Sequence, residues 1–254
     1  MSDVPFLFAI PLIAKSVARD WERACQLLSC TLDSILNQTN PNFKVALICH
    51  DVPDIPKLSD PRVVILKSLS PIPSTPNEQM VDKGHKKRLA SAYLYGLGGG
   101  WIMLVDADDL VSNRIVDYVR KSDAKYGLLI DDGWEFDCVI KKMTKAPRFN
   151  RMCGTSAIFK FSKNELPSNA LHDQRTLSDA FESHRLWRET SMNLGRPLDF
   201  VNFRAAIYTI NNQQNHSALM GPIGWKRKFT RLFSFSHSPT PVEIAEFSMN
   251  GLLS

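Results

Sequence analysis

The chain has 254 residues, of which 44% are hydrophobic and 22% are charged. This balance is that of an ordinary globular protein and excludes a fibrous or disordered chain. The net charge of +5 is compatible with an anionic nucleotide, an anionic acceptor or a membrane surface, and does not distinguish them. The five cysteines are scattered without a CxxC pair, which excludes a disulfide framework. We expect reduced thiols in a cytoplasmic protein and assign no cysteine a catalytic role.

The first half of the chain alternates strand-like and helix-like segments. The apolar run from Val4 to Ala14, roughly 11 residues, is too short to span a bilayer. No signal-peptide cleavage site follows it, so we expect a buried first strand. Apolar residues at three- and four-residue steps predict an amphipathic helix from Asp20 to Asn37. Short apolar runs predict further strands at Phe43–Cys49 and Arg62–Lys67.

A loop rich in Pro and Ser, from Ser68 to Pro76, leads to a basic stretch, Asp82–Arg88. Leu89 to Leu97 is predicted to be a helix that ends at three consecutive glycines. WIMLVDADD, starting at Trp101, predicts a fourth buried strand that runs directly into acidic residues.

The alternation predicts an α/β fold, with a parallel or mixed sheet and helices on both faces. Ligands of such sheets bind at the carboxyl ends of the strands. Those ends are Pro11-Leu12, His50-Asp51, Lys67 and Asp106–Asp109. In the second half, Gly127–Asp137, Gly154–Ser162 and Ala205–Asn212 are predicted to be extended, and Leu177–Leu194 to be helical.

The acidic cluster Asp106-Ala107-Asp108-Asp109 is the most informative element. Three carboxylates at the end of a buried strand repel one another, and burial would raise their pKa values unless a cation lies among them. Mg²⁺ and Mn²⁺ take oxygen ligands and keep other positions for water or phosphate. Asp106 and Asp108 can converge only if the chain turns at Ala107. The alternative is that these acids cap the segment that begins near Leu110.

Four segments, in order, resemble a family of enzymes, the family 2-type glycosyltransferases of the GT-A fold. They are SILNQTNPNFKVALI (Ser34–Ile48), WIMLVDADDLVS (Trp101–Ser112), GTSAIFK (Gly154–Lys160) and ESHRLWR (Glu182–Arg188). The resemblance implies a Rossmann-like mixed sheet and the transfer of a sugar from a nucleotide-sugar donor to an acceptor hydroxyl. It further implies an inverting, metal-dependent reaction in polysaccharide or glycoconjugate synthesis.

The resemblance also implies roles for individual residues. Asp106 would lie near the donor ribose and the metal, and Asp108 would coordinate the Mn²⁺ or Mg²⁺ that bridges the two phosphates. Where the family has a base-reading acid, this chain has Cys49-His50-Asp51, so Asp51 is the candidate. The donor-binding set is Pro11, Leu12, His50, Asp51, Lys83, Arg88 and Asp106.

Cations in the basic stretch suit a diphosphate leaving group, which gains charge in the transition state. Lys83 and Arg88 are the predicted phosphate contacts, and a solvated helix start is the alternative. A base must take the acceptor proton. Ser183 stands where the family's second acid would be, so Glu182, then Asp179 and then Asp173 are the candidate bases.

His216 ends the last strand-like segment and is the candidate third metal ligand, since neutral imidazole is a good Mn²⁺ ligand. We predict that residues 1–216 form one GT-A catalytic domain. Residues 1–112 would be the nucleotide-sugar half and residues 113–216 the acceptor half. Residues 217–254 would form a basic, aromatic C-terminal tail.

The segment Trp225–Phe235 within that tail interleaves cations with aromatic residues. This pattern favours peripheral contact with an anionic membrane, and packing of the aromatic rings on the catalytic domain is the alternative. No nucleic-acid-binding motif accompanies the segment. Two other functions stay open. One is a sugar-nucleotide nucleotidyltransferase, although this chain lacks the Gly-rich loop that such an enzyme normally has after its first strand. The other is a non-catalytic sugar-nucleotide-binding module.

Overall fold

The computed structural model describes residues 4–171, 174–213 and 236–253. The strands in chain order are β1 (Phe6–Pro11), β2 (Lys44–Cys49), β3 (Val63–Lys67), β4 (Gly99–Leu104), β5 (Leu110–Val111), β6 (Gly127–Leu129), β7 (Asp132–Asp137), β8 (Lys142–Pro147), β9 (Ala157–Ser162), β10 (Asp199–Phe200), β11 (Ala206–Ile210) and β12 (Ser236–His237). The helices are α1 (Trp21–Leu36), α2 (Pro76–Gly96), α3 (Ile115–Lys121), α4 (Trp187–Asn193), α5 (Pro241–Phe247) and α6 (Asn250–Leu253).

The larger sheet has the strand order β10-β6-β9-β4-β1-β2-β3. Strands β1 to β4 run parallel, whereas β9 is antiparallel to both β4 and β6. Side chains of β1 alternate between two cores. Phe8 packs in the same cluster as Leu32 of α1, and Ala9 packs in the same cluster as Leu94 of α2. The two long helices therefore cover opposite faces, which confirms the prediction of a Rossmann-like mixed α/β sheet.

Local hydrogen bonds fix the first residues of the two long helices. The Asp20 carboxylate accepts a hydrogen bond from the Arg23 amide and caps α1. Thr75 and Glu78 form a capping box at the start of α2. The helix α2 therefore begins well before Leu89, and the whole basic stretch Asp82–Arg88 lies on it. The predicted helix start at Leu89 was wrong, because the residues of this stretch are mostly charged and do not show the apolar spacing that indicates a helix in a sequence.

Two predicted elements in the second half are divided. The segment Gly127–Asp137 forms β6 and β7, which belong to different sheets. Leu177–Leu194 is not one helix: 3₁₀ turns at Leu177–Ala180 and His184–Leu186 precede α4. Asp179 and Glu182 therefore do not share a helix. Thr176 and Asp179 form a capping box whose hydrogen bonds hold a single 3₁₀ turn.

The smaller sheet has the order β12-β8-β7-β11-β5, and the C-terminal residues 236–253 pack against it. Strand β12 pairs with β8, and Phe247, Met249 and Leu252 are buried in a core cluster with Leu27 of α1. Residues 236–253 are therefore part of the folded core, contrary to the predicted tail that began at residue 217. Within the described residues, no helix is both long and apolar enough to cross a membrane.

Candidate active site

A cleft of about 1290 Å³ opens at the carboxyl ends of β1 and β4. The chain continues from β1 to β2 in one direction along the sheet, whereas β4 lies on the other side of β1. Such a point, where the strand order reverses, leaves a crevice in which α/β proteins bind ligands. Pro11 and Leu12 from the end of β1 and Asp106 and Asp108 from the end of β4 all line the cleft, as predicted from their positions.

The acidic cluster makes the turn at Ala107 that the sequence requires. The amide of Asp109 donates to the carbonyl of Asp106 at 3.0 Å and closes the turn. The amide of Asp106 donates to Thr155 Oγ1 at 2.9 Å. Thr155 reaches this position because β9 runs antiparallel to β4, so the residues before β9 return to the end of β4.

Asp109 differs from its two acidic neighbours because it is fully buried. One of its carboxylate oxygens accepts hydrogen bonds from Thr155 Oγ1 at 2.6 Å and from Cys153 Sγ at 2.9 Å. Burial, together with the charges of Asp108 and Asp106, raises the pKa of Asp109 well above its ordinary value. Asp109 therefore anchors the loop before β9 beneath the cleft, and Asp106 and Asp108 are the acids that line it.

Asp108 is held from the second sheet. Strand β5 follows the cluster directly and pairs antiparallel with β11, so the residues after β11 return to Asp108. Asn212 Nδ2 donates to Asp108 Oδ2 at 2.7 Å, and Thr209 Oγ1 donates to the Asp108 carbonyl at 2.6 Å. Burial and the neighbouring Asp106 carboxylate raise the pKa of Asp108 to about 6. The site therefore concentrates negative charge that a cation would stabilise.

Cations of α2 face these acids. Lys83 Nζ donates to Asp106 Oδ1 at 2.5 Å. Burial acts to raise the pKa of Asp106, but the Lys83 charge and hydrogen bond outweigh it and the pKa is lowered. Lys87 lines the same cleft, and its Nζ donates to the Glu182 carbonyl at 3.1 Å. Burial, and then the Lys83 charge, lowers the pKa of Lys87 to about 8.

Lys86, on the same helix, is almost fully buried. Its ammonium donates to the Leu12 carbonyl at 2.7 Å and to Asp82 Oδ2 at 2.6 Å. His50 Nε2 lies 2.8 Å from the other oxygen of Asp82 and is also buried. This network ties α2 to the ends of β1 and β2, and so sets the distance between the cations of α2 and the acids that follow β4.

The remaining predicted donor residues lie apart from the acids. His50 and Asp51 are not among the described residues that line the cleft, and Asp51 accepts a hydrogen bond from the Lys15 amide at 2.9 Å. Arg88 does line the cleft, but its guanidinium is paired with Asp179 and donates to the Gln174 carbonyl at 2.9 Å. Arg88 therefore holds the loop that carries Asp179 in place.

Two of the candidate bases, Asp179 and Glu182, belong to the segment before α4. Asp179 accepts from Arg88 and from Thr176 Oγ1, the latter at 2.9 Å, and its side chain is mostly buried. The Glu182 side chain is 66% exposed and pairs with Arg175 at 2.9 Å. Both line the cleft. Asp173, the third candidate base, lies outside the described residues, as do the candidate ligand His216 and the segment Trp225–Phe235.

Several residues of the site carry no role in the sequence interpretation. Thr155 and His184 lie within the motifs GTSAIFK and ESHRLWR, which is the only signal that could have pointed to them. Asn212 is the last residue of a segment predicted to be extended, and its contact with Asp108 depends on a strand pairing that the sequence does not reveal. Lys87 was one of four cations in the basic stretch, and its direction into the cleft follows from the helix.

No protein-family model matches the chain, and no curated protein matches it. Among solved structures, the chain is similar to the apo form of the glycosyltransferase GlyE from Streptococcus pneumoniae TIGR4, with 10% identity and a TM-score of 0.36. A second structure of GlyE gives 9% identity and a TM-score of 0.37. Each match covers 80% of this chain and 46% of the other, so the chain spans about half the length of these structures. The likeness is remote, and the function of this chain is inferred from its own site.

Proposed function

We propose that the protein is a glycosyltransferase that moves a sugar from a nucleotide-sugar donor to an acceptor hydroxyl, with inversion at the anomeric carbon. One observation carries the proposal. Asp106 and Asp108 lie at the point where the strand order reverses, in a cleft they share with Lys83 and Lys87. Carboxylates beside cations at such a point suit a diphosphate, whose charge a metal ion and ammonium groups can share.

The carboxylates of the site fit a divalent metal ion. Within residues 4–171, 174–213 and 236–253, no group of three His, Cys, Asp or Glu side chains could hold a metal by itself. Mg²⁺ and Mn²⁺ bound with a nucleotide commonly use only one or two carboxylates, with phosphate oxygens and water in the other positions. Asp106 and Asp108 would hold the ion, which would neutralise charge on the leaving diphosphate. His216 stays a predicted third ligand.

The cations of α2 would act on the same leaving group. In the transfer, the acceptor oxygen attacks the anomeric carbon while the bond from that carbon to the diphosphate oxygen breaks. Lys87 is half-buried and has a lowered pKa, and a phosphate oxygen beside it would favour its charged form. Lys83 would remain paired with Asp106 and fix the direction of that carboxylate.

The proton of the acceptor hydroxyl needs a carboxylate to receive it. We favour Glu182 for this role, because its side chain is exposed on the cleft wall and its one ion pair within the described part of the chain is a surface pair with Arg175. The Asp179 carboxylate already accepts hydrogen bonds from Arg88 and Thr176. These bonds hold the loop in place, so Asp179 is the weaker candidate for the base. Asp173 stays a candidate base from the sequence.

The experiment is a thermal-shift screen of the purified chain with nucleoside diphosphates, with and without Mn²⁺, followed by measurement of diphosphate release from the matching nucleotide-sugars. A ligand of the native state raises the melting temperature according to RT ln(1 + [L]/Kd). We expect one nucleoside diphosphate to stabilise the protein in the presence of Mn²⁺. Asp108→Asn, which keeps the shape and can still accept from Asn212, should lose the Mn²⁺-dependent part. If no nucleotide raises the melting temperature, the proposal is wrong.

Contact of Trp225–Phe235 with anionic lipid also stays a proposal about partners. Truncation before this segment cannot test it, because that would also remove Phe247 and Met249 from the core. Charge reversal of Lys226 and Arg227 is the better test. It should abolish sedimentation with anionic vesicles, since each cation near such a surface contributes about 1 kcal/mol. Unchanged sedimentation, or none in the unaltered chain, would contradict the proposal.

A further inference from the structure

A small cavity of about 20 Å³ adjoins the cleft behind Asp106. Its size admits one oxygen-sized group, since a cavity of roughly 10–15 Å³ is needed to hold a water molecule. Its walls are polar on several sides and are formed by residues from five parts of the chain. Those that matter here are Lys83, Lys87, Asp106, Gly154, His184 and Trp187.

His184 is the unexplained member of this wall. Its Nε2 atom is buried and has no hydrogen-bond partner within the described part of the chain. A buried polar atom without a partner is costly, and native structures rarely leave one without a reason. Burial lowers the pKa of His184 to about 4, so the ring is neutral near pH 7. Nε2 is therefore a hydrogen-bonding atom of a residue that lines the cavity, and no group of the described chain uses it.

The turn that carries His184 is held at both ends. Trp187, 1% exposed, donates from Nε1 to the Phe181 carbonyl at 3.0 Å. Lys87 Nζ donates to the Glu182 carbonyl at 3.1 Å. The imidazole also packs edge-on against the Trp187 ring, with 6.2 Å between ring centroids. Groups fixed in this way before the ligand arrives are typical of a recognition site.

We propose that this cavity is a subsite for one neutral hydroxyl group of the sugar carried by the donor, with His184 Nε2 as its hydrogen-bond partner. The inference rests on the proposed function and names the part of the substrate that the site reads. A hydroxyl both donates and accepts, so it can satisfy an imidazole, a carboxylate and an ammonium together. A carboxylate on the sugar would lie against Asp106, and an amino group would lie between Lys83 and Lys87. The subsite therefore selects a neutral sugar over a charged one.

The experiment separates the sugar from the nucleotide. Calorimetry in the presence of Mn²⁺ measures the Kd of the nucleoside diphosphate found in the screen, of its glucose and galactose derivatives and of its glucuronate derivative. The variants are His184→Leu, which removes the hydrogen bond, and His184→Gln, which can restore one near Nε2. The control is Leu186→Ala, because Leu186 is an exposed residue of the same turn and lines neither the cleft nor the cavity.

We expect the wild type to bind a hexose donor more tightly than either the diphosphate or the glucuronate donor. His184→Leu should weaken hexose-donor binding about tenfold, the effect of one lost hydrogen bond, while the Kd of the diphosphate stays within about twofold. Unchanged diphosphate binding also shows that the variant folds. His184→Gln should recover part of the loss, and Leu186→Ala should bind as the wild type does.

Two other results would overturn the subsite and leave the diphosphate site standing. Equal losses for diphosphate and hexose donor would make His184 a structural residue. No loss in His184→Leu would mean that the cavity holds only water or stays empty. If the wild type binds no nucleoside diphosphate, the proposed function fails and the subsite fails with it.

Discussion

Gly154 lies against the Asp106 carboxylate, and replacing it by Ala tests whether the position of that group matters. An added Cβ would lie 2.9 Å from Asp106 Oδ2, about 0.5 Å closer than the 3.4 Å at which ordinary contact begins. The backbone of Gly154 cannot easily retreat, because Cys153 and Thr155 on either side of it both bond to Asp109. The carboxylate must therefore move.

A misplacement of about 1 Å at a reacting centre can cost 10²-fold in rate. For a shift of about 0.5 Å we expect Gly154→Ala to lower kcat/KM by roughly 10-fold to 100-fold. The melting temperature should change little, because the displaced group is a side chain that is still 28% exposed. The assay is release of nucleoside diphosphate from the nucleotide-sugar, run beside a thermal melt.

The matched control is Gly96→Ala, at the exposed end of α2, where an added Cβ meets nothing within 4 Å. That variant should keep full activity and gain slightly in stability, since Ala is the better helix former. Activity of Gly154→Ala within about twofold of the wild type would refute the reasoning. So would a large fall in melting temperature, because the defect would then be one of folding.

Four further variants test other parts of the structure. Asp108→Ala should abolish transfer without unfolding the protein; activity within about threefold of the wild type would exclude it as a metal ligand. Glu182→Gln should lower kcat by roughly 10²–10⁴ with donor binding unchanged, the usual worth of a positioned base; full activity would move the role to another acid. Asp179→Asn should lower the melting temperature through its lost pair with Arg88, and loss of activity without loss of stability would make it the better base. Phe247→Ala, at a core position that is 1% exposed, should cost about 3–5 kcal/mol in a denaturant titration, and a cost below about 1 kcal/mol would contradict the docking of α5.

The sequence by itself predicted the elements whose signals are local. The apolar runs of β1, β2 and β4 indicated strands buried on both faces, and the spacing of apolar residues in α1 indicated its packed side. It also placed Asp106 and Asp108 at a carboxyl strand end, where ligands of such sheets bind. These features depend on residues that are neighbours in the chain, so a single sequence suffices to find them.

The tertiary structure decided which acids line the cleft and what holds them. Thr155 reaches Asp106 across 49 residues of sequence, and Asn212 reaches Asp108 across 104. Both contacts follow from antiparallel pairings, of β9 with β4 and of β11 with β5, whose register is set by packing across the whole domain. The burial of Asp109, which removes it from the cleft, has the same origin.

His184 and the C-terminal residues show the same division. The motif containing His184 was visible in the sequence. The burial of its Nε2, which has no hydrogen-bond partner among the described residues, depends on how the Phe181–Trp187 turn packs beside Asp106. Phe247 was predicted to be part of a tail, because the sequence does not reveal that Phe247 packs in a core cluster with Leu27 of α1. Local patterns determine elements, whereas burial and hydrogen-bond partners depend on groups that are distant in the chain and meet only after folding.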